Sequence, residues 1–370
     1  MKKILIIGGG VAAYEAALAA SAAPKTQVTV CSAESVPPYR RPALSRMVAE
    51  ELADAAFYFK PAAFYAEHGI DLRLGAEAKV LDREKRELRL ADGTILPWDV
   101  LVLATGGYAF VPPLPGAEHV RVLRTYADLL AIRELLEGGL RKAVIAGAGV
   151  LGLELADSLL KKGCEVTLLE AGPAVLGRNL DEASAGMVKN LLAQKAGLTV
   201  LTGVSAGKAF PDGVELTDGR RLDAGAVFFS TGVRSCARLA ADAGLAVDRG
   251  IVIDDRTATS DPAVFACGDA AELNGRSFGL LNAARTMGHI AGINAAGGDE
   301  RFVPESWPVR LNALGIKLFS AGTPAGAHVE HTEADGAGKS LIYDESGKLA
   351  GVVLLGDLSE AAALQKELAR

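Results

Sequence analysis

The chain opens on an apolar run, residues 2–7, that reads as a buried strand. Three glycines follow at residues 8–10, then an alanine-rich helical stretch at 11–23 and a second strand, rich in β-branched side chains, at 27–31. The same order returns later: residues 142–146 read as a strand, 150–162 as a helix and 165–169 as a strand, again with glycines at the first turn. Two strand–helix–strand units of this kind predict parallel sheets flanked by helices, an α/β fold with two Rossmann-like domains. After each unit come short strands with turns, marked by Asp92-Gly93 and Asp218-Gly219, and then an apolar strand, residues 100–104 and 227–230. Pro112, Pro113 and Pro115 form a connection into the second half, and Pro304 and Pro308 mark a boundary near residue 302. Beyond it, strand patterns at 340–343 and 349–355 and a final helix at 359–368 predict a small α+β C-terminal domain.

The length, 370 residues, allows two or three domains, and 50% hydrophobic with 23% charged residues argues against global disorder. Glycine (42) and alanine (65) are in excess, which suits tight turns and close helix–strand contacts. A net charge of −6 supplies no basic field for nucleic acid. Lys2 and Lys3 before an apolar stretch, with small residues at 19–23, resemble a secretory signal, but Gly8, Gly9, Gly10 and Glu15 break the apolar core a signal needs. The favoured reading is a first strand in a cytoplasmic protein. No run of about 18 apolar residues without glycine or charge occurs, so no membrane helix is expected. The four cysteines, Cys31, Cys164, Cys236 and Cys267, are widely spaced and include no CxxC, which excludes a local zinc knuckle or thioredoxin-type dithiol. Cys31 and Cys267, in or beside apolar strands, are expected in the core. The five histidines have no metal spacing, so no metal is expected. Arg83, Lys85, Arg86 and Arg89 alternate with acids and read as a solvated hairpin.

The chemistry lies in the two glycine turns. Gly8-Gly9-Gly10-Val11-Ala12-Ala13 fits GxGxxG/A, with Ala13 in the third slot. The first glycine permits the turn, the second lets a pyrophosphate approach the backbone, and the third position lets helix and strand pack closely. The helix N-terminus then offers N–H groups to the phosphates. A ribose-binding carboxylate belongs near the end of the second strand: Glu34 lies 26 residues after Gly8, and Ser32 is the nearer alternative. The second turn, Gly147-Ala148-Gly149-Val150-Leu151-Gly152, is cleaner, with Glu170 following Gly147 by 23 residues. A carboxylate there accepts ribose hydroxyls and repels a 2′-phosphate, and no Arg or Lys occurs in residues 171–177, which favours NADH over NADPH.

Two fingerprints in one chain suggest two dinucleotides meeting. With Leu101-Val102-Leu103-Ala104-Thr105-Gly106 and the stretch from Thr259 through Ala266-Cys267-Gly268-Asp269, the chain resembles the FAD-dependent pyridine nucleotide–disulfide oxidoreductase superfamily along nearly its whole length. The disulfide-reducing members carry a redox cysteine pair, which is absent here. Pro38-Tyr39-Arg40-Arg41-Pro42-Ala43-Leu44-Ser45-Arg46 instead resembles the YxRPxLSK motif of the rubredoxin, ferredoxin and flavorubredoxin reductases and of the flavin part of NADH-dependent nitrite reductase. The resemblance implies a split FAD domain, residues 1–110 and 231–301, an inserted NADH domain, 111–230, and a C-terminal domain, 302–370. It implies FAD contacts from Gly8, Gly10, Ala12, Ala13, Ser32, Glu34, Arg41, Pro42, Arg46, Ala78, Ala104, Thr105, Gly106, Gly268, Asp269 and Leu281. NADH contacts are implied for Gly147, Gly149, Val150, Leu151, Gly152, Glu154, Glu170 and Gly232. Asp269 would bind the ribityl chain, although a carboxylate there also suits a helix N-cap. The helix after residues 280–288 would aim backbone N–H groups at the reduced flavin.

In relatives the lysine at the Arg46 position pairs with the glutamate at the Glu154 position. Arg46 can pair with Glu154 but does not readily release a proton, so the resemblance implies Arg46 and Glu154 as the catalytic residues, with Arg46 in an electrostatic and positioning role. The expected function is an NADH:acceptor oxidoreductase passing electrons singly to a small carrier such as rubredoxin. An NADH oxidase, the flavin component of a nitrite or nitric oxide reduction system, and a nucleotide-binding redox regulator without turnover are the alternatives. Arg40, Arg41 and Arg46 could form a basic docking patch, whereas residues 302–370 carry 6 basic and 9 acidic side chains. The expected assembly is a monomer or homodimer, with no nucleic acid and no membrane.

Overall fold

The computed structural model describes residues 1–51 and 53–368. The chain forms two compact units: Met1–Ala43 with Glu51–Tyr108 and Val233–Pro304, and Leu44–Glu50 with Ala109–Gly232 and Glu305–Arg370.

The first unit is built on a five-stranded parallel sheet in the order Val264–Ala266, Val100–Leu103, Lys2–Ile7, Thr26–Cys31, Ile70–Arg73. The opening apolar run is thus the middle strand, and Ile4, Leu5, Ile6 and Ile7 are all buried. A continuous apolar run, rather than alternation, is what a strand covered on both faces requires. The helices Val11–Ser21 and Leu281–Ala296 pack against the sheet and against each other. Their contact explains part of the glycine and alanine excess. A Cβ on Gly288 would lie 2.3 Å from the Ala12 carbonyl oxygen, and one on Gly292 would lie 2.3 Å from that of Ala16. Ala12, Ala13, Ala16, Ala17 and Ala20 are all buried. Small residues on both helices let the backbones touch, at the cost of large apolar side chains.

A three-stranded antiparallel sheet, Ala78–Asp82, Glu87–Leu90 and Ile95–Pro97, completes the short-strand region of this unit. The expectation of a purely solvated hairpin needs one correction. Arg83 is half-buried: Nε donates to the Ala243 carbonyl at 2.7 Å, and Nη1 pairs with Asp261 at 3.1 Å. It ties the hairpin to the second part of the unit, residues distant in sequence, which is why the local charge pattern conceals it.

The second unit repeats the plan. Its parallel sheet runs Leu198–Thr202, Glu165–Glu170, Lys142–Ala146, Ala226–Phe229, Val120–Arg121. The helix Val150–Lys161 follows the central strand, and Ala206–Phe210, Gly213–Leu216 and Arg221–Asp223 form the antiparallel sheet. The C-terminal segment adds a five-stranded antiparallel sheet in the order Val309–Ala313, Ile316–Gly322, Leu349–Leu355, Ala337–Tyr343, His328–Ala334. The helix Ala361–Leu368 covers it through Ala361 and Leu364, which pack with Phe319, Val352 and Leu354. The edge strand His328–Ala334 carries almost no buried side chain, so no apolar alternation marks it in the sequence. No described helix is long and apolar enough to cross a membrane.

Candidate functional site

Each unit carries a glycine turn between its central strand and the next helix, and the two turns share one geometry. Gly8 has φ +141°, and a Cβ there would lie 2.0 Å from the Ala104 carbonyl oxygen. Gly147 has φ +108°, and its Cβ would lie 2.3 Å from the Ser230 carbonyl oxygen. Both first glycines are therefore required by backbone conformation and by the neighbouring strand. The second glycines behave oppositely. A Cβ on Gly10 or Gly149 would meet nothing within 4 Å, so the space before each helix is open. At the third position, a Cβ on Gly152 would sit 2.0 Å from the Gly147 carbonyl oxygen, whereas the first turn accommodates buried Ala13. Ala12 is buried beside it; Val150 begins the second helix and Leu151 is exposed. This combination of a forced turn and an open helix start fits a pyrophosphate group.

A carboxylate stands at each second strand. Glu170 accepts the backbone N–H of Ala148 at 3.1 Å and that of Gly172 at 2.8 Å, which places it against the glycine turn. Glu34 accepts the Tyr39 hydroxyl at 2.7 Å and the Arg41 guanidinium at 2.8 Å. Ser32, the nearer alternative, is buried; its Oγ accepts the Glu34 N–H at 3.2 Å and lies 2.2 Å from where a Gly9 Cβ would be.

The remaining positions of the first unit lie as follows. Ala104 follows the strand Val100–Leu103, and its N–H donates to Ile7 O at 2.8 Å. Thr105 Oγ1 donates to Cys236 O at 2.7 Å, and Gly106 has φ +69°. Gly268 and Asp269 form a short 3₁₀ turn directly after the buried strand Val264–Ala266, with the Asp269 carbonyl accepting Ser235 Oγ at 2.7 Å. A Cβ on Gly268 would come within 2.9 Å of Ala12 Cβ, so this turn lies against the first helix. Leu281 starts the helix Leu281–Ala296 and is partly exposed. Ala78 begins a strand of the antiparallel sheet, and Pro42 lies exposed beside Arg41. In the second unit Gly232 has φ +115°, and its carbonyl accepts the Phe110 N–H at 2.9 Å.

Arg46 and Glu154 both belong to the second unit, and each has a partner other than its counterpart. Arg46 Nε pairs with Glu50 Oε2 at 3.2 Å, one helical turn away. Glu154 Oε2 accepts the buried Ser45 hydroxyl at 2.7 Å. The segment carrying Ser45 and Arg46 is held by Arg133, whose guanidinium donates to the Met47 carbonyl at 2.7 Å and that of Glu50 at 3.2 Å. Lys161 reaches Glu50 at 3.4 Å and Asp157 at 2.9 Å. Burial pushes the Glu154 carboxyl up, the Ser45 hydrogen bond partly offsets this, and Asp157 adds to the rise. Folded protein thus holds a proton on Glu154 at a pH where the unfolded chain has released it. Stability from this group falls as pH rises above the ordinary glutamate range. Glu154→Gln is expected to melt higher than wild type in neutral buffer and to lose that advantage in mildly acidic buffer; equal shifts at both pH values would contradict this.

Tyr39 and Ser45 escaped the residue-by-residue sequence reading, although both lie within the YxRPxLSR stretch. Their signal was the need of Glu34 and Glu154 for donors. The docking-patch expectation is also altered. Arg40 Nη1 donates to the carbonyls of Ala55, Ala56 and Tyr58, Arg41 is paired with Glu34, and Arg46 with Glu50. Cys31, Cys164 and Cys267 are buried; burial pushes the Cys31 thiol up to about 11 and Cys267 up to about 12, which makes poor thiolates of both.

Residues 2–288 match the family described as pyridine nucleotide-disulphide oxidoreductase. The chain is 32% identical over 378 residues to the NADH nitrite reductase large subunit of Escherichia coli (strain K12), covering 97% of this chain and 44% of that one. It spans less than half the length of the nitrite and nitrate reductase subunits it matches. Among solved structures, it superposes on the ferredoxin reductase for the CYP199A2 system of Rhodopseudomonas palustris with a TM-score of 0.90, at 26% identity, covering 100% of this chain and 96% of that one. The NADH:rubredoxin oxidoreductase of Clostridium acetobutylicum gives a TM-score of 0.83 at 26% identity, covering 99% and 94%.

Proposed function

Because this chain belongs to the pyridine nucleotide-disulphide oxidoreductase family, whose members use FAD and NAD(P)H, we propose that it oxidises NADH and delivers the electrons, through FAD, one at a time to a small iron–sulfur carrier protein. The observation that carries this reading is the pair of glycine turns, each with an open second glycine and an adjoining carboxylate, in a chain without a CxxC. Bound FAD supplies hydride acceptance and single-electron release. The chain supplies binding and charge.

In the first unit, Gly8, Gly10 and Ala12 would receive the FAD pyrophosphate, with buried Ala13 keeping the helix close to the strand, Glu34 would hold the adenosine ribose and Asp269 the ribityl hydroxyls. Arg41 and Pro42, with Ala78, Ala104, Thr105, Gly106, Gly268 and Leu281, would line the rest. In the second unit, Gly147, Gly149, Val150, Leu151, Gly152 and Gly232 would receive NADH, with Glu170 on its ribose. Arg46 keeps its charge and acts on position and potential, whereas Glu154, with its raised pKa and its Ser45 donor, is the group suited to hold a proton.

Glu170→Ala removes two charge-assisted contacts from the turn and the ribose acceptor with them. kcat/KM for NADH is expected to fall about 10–100-fold, at about 1.5–3 kcal/mol for hydrogen bonds to a charged group, with a smaller loss for NADPH, which shares the turn but not the ribose contact. Steady-state assays with both nucleotides check this; equal losses with both would remove Glu170 from the ribose.

A panel of acceptors tests the proposal. NADH oxidation is expected to accelerate at least about tenfold with a ferredoxin or rubredoxin relative to oxygen alone. Oxygen as the fastest acceptor would make the chain an NADH oxidase. The similarity to nitrite reductase large subunits favours, as second reading, the flavin part of a nitrite-reducing system. That reading predicts turnover only when the rest of such a system is added.

A further inference from the structure

We infer that Tyr39 is a positioning residue for the adenosine end of FAD, acting with Arg41 to lock the Glu34 carboxylate in the orientation that holds the ribose. The inference rests on the FAD reading above and adds to it a residue that has no assigned role there. Each Glu34 oxygen receives its own donor: Tyr39 Oη reaches Oε2 at 2.7 Å, and Arg41 Nη2 reaches Oε1 at 2.8 Å. A carboxylate oxygen accepts more than one hydrogen bond, so this grip is compatible with a ribose diol.

The grip is stiff because Tyr39 is itself fixed. Its side chain is only 2% exposed, its ring stacks on Phe57 at 4.7 Å, and the Arg41 guanidinium lies 5.1 Å from its ring centroid. The Glu34 backbone is fixed as well. Its N–H donates to Ser32 Oγ at 3.2 Å, and its carbonyl accepts the Gly75 N–H at 3.0 Å. A glutamate on an exposed loop has three rotatable side-chain bonds to order on binding; here the fold has already ordered them. Arg41 is the cationic half of the grip, 2.8 Å from Glu34 Oε1. Burial works against its charge, but Tyr39, Glu34 and Asp269 around it hold its pKa above the ordinary guanidinium value.

Tyr39→Phe deletes only the hydroxyl and keeps the ring on Phe57. The test compares FAD dissociation constants of the holoprotein, read from the fluorescence of released flavin, for wild type, Tyr39→Phe, Glu34→Gln and the double variant. Tyr39→Phe is expected to weaken FAD about tenfold when Glu34 is present, the loss of one hydrogen bond to a charged acceptor. In the Glu34→Gln background the same change is expected to cost less than about twofold, because the carboxylate it positions is gone. Equal weakening in both backgrounds would mean that Tyr39 serves only the local fold, and no weakening in either would mean that the hydroxyl does nothing for FAD. Both results overturn the inference. A wild-type protein that takes up no FAD would overturn the FAD reading itself, a separate outcome.

Discussion

Gly149→Asp is expected to lower kcat/KM for NADH by about 100-fold or more while the protein stays folded and keeps its flavin. Gly149 has φ −81°, a conformation open to any residue, and a Cβ there meets nothing within 4 Å. The substitution therefore carries no packing cost that the structure reveals. What it adds is a carboxylate at the mouth of the turn, where the NADH pyrophosphate would sit. Two unit charges about 4 Å apart repel by about 4 kcal/mol at the effective dielectric near a protein surface, enough for a loss of this size. The expected signature is a split: unchanged flavin absorbance and melting temperature, with NADH-dependent reduction lost and reduction by dithionite intact. A variant that reacts with NADH normally would remove the second turn from the nicotinamide nucleotide.

Gly10→Asp is expected to have the opposite signature. Gly10 has φ −93° and the same open space at its Cβ position, so the fold again has no steric reason to fail. The carboxylate would face the FAD pyrophosphate, and the protein is expected to purify with little flavin, at least about 100-fold weakened in FAD affinity by the same repulsion. NADH binding at the second turn should survive and remain measurable by calorimetry. Yellow Gly10→Asp protein with full flavin content would place FAD elsewhere. The pair assigns the two turns to two nucleotides, which either variant alone leaves open. Gly8 and Gly147 are less informative targets, because their positive φ and close carbonyl contacts would disturb the sheet first.

The parts of the molecule legible in the sequence are those whose cause is local. A strand buried on both faces shows as a continuous apolar run, as in the strands Lys2–Ile7 and Lys142–Ala146. A turn that must approach a neighbouring strand shows as glycine, and Glu170 lies where strand length puts it. Long-range pairings left weaker traces. Arg83 reads as one of four charges on a hairpin, yet it bonds residues 160 and 178 positions away. Ser45 meets Glu154 across 109 positions. The sequence allows Arg46 to pair with Glu154 without requiring it, and in the fold Arg46 pairs with Glu50, one turn further on in its own segment. Part of the glycine excess is legible as phosphate turns, at Gly8, Gly9, Gly10, Gly147, Gly149 and Gly152. The contact of the helices Val11–Ser21 and Leu281–Ala296, where Gly288 and Gly292 meet Ala12 and Ala16, is not, because two helices so far apart in sequence have no local pattern that declares their crossing. The strand His328–Ala334 was missed for a different reason: an exposed polar edge strand has neither an apolar face nor a turn signature.

Anaerobic titration of the purified protein with NADH, followed by visible absorbance, is the most direct measurement of FAD-linked NADH oxidation by this chain. The flavin band is expected to be present as purified and to bleach with about one NADH per flavin, with NADPH far less effective. A protein without flavin, or one whose flavin keeps its colour in excess NADH, would contradict it.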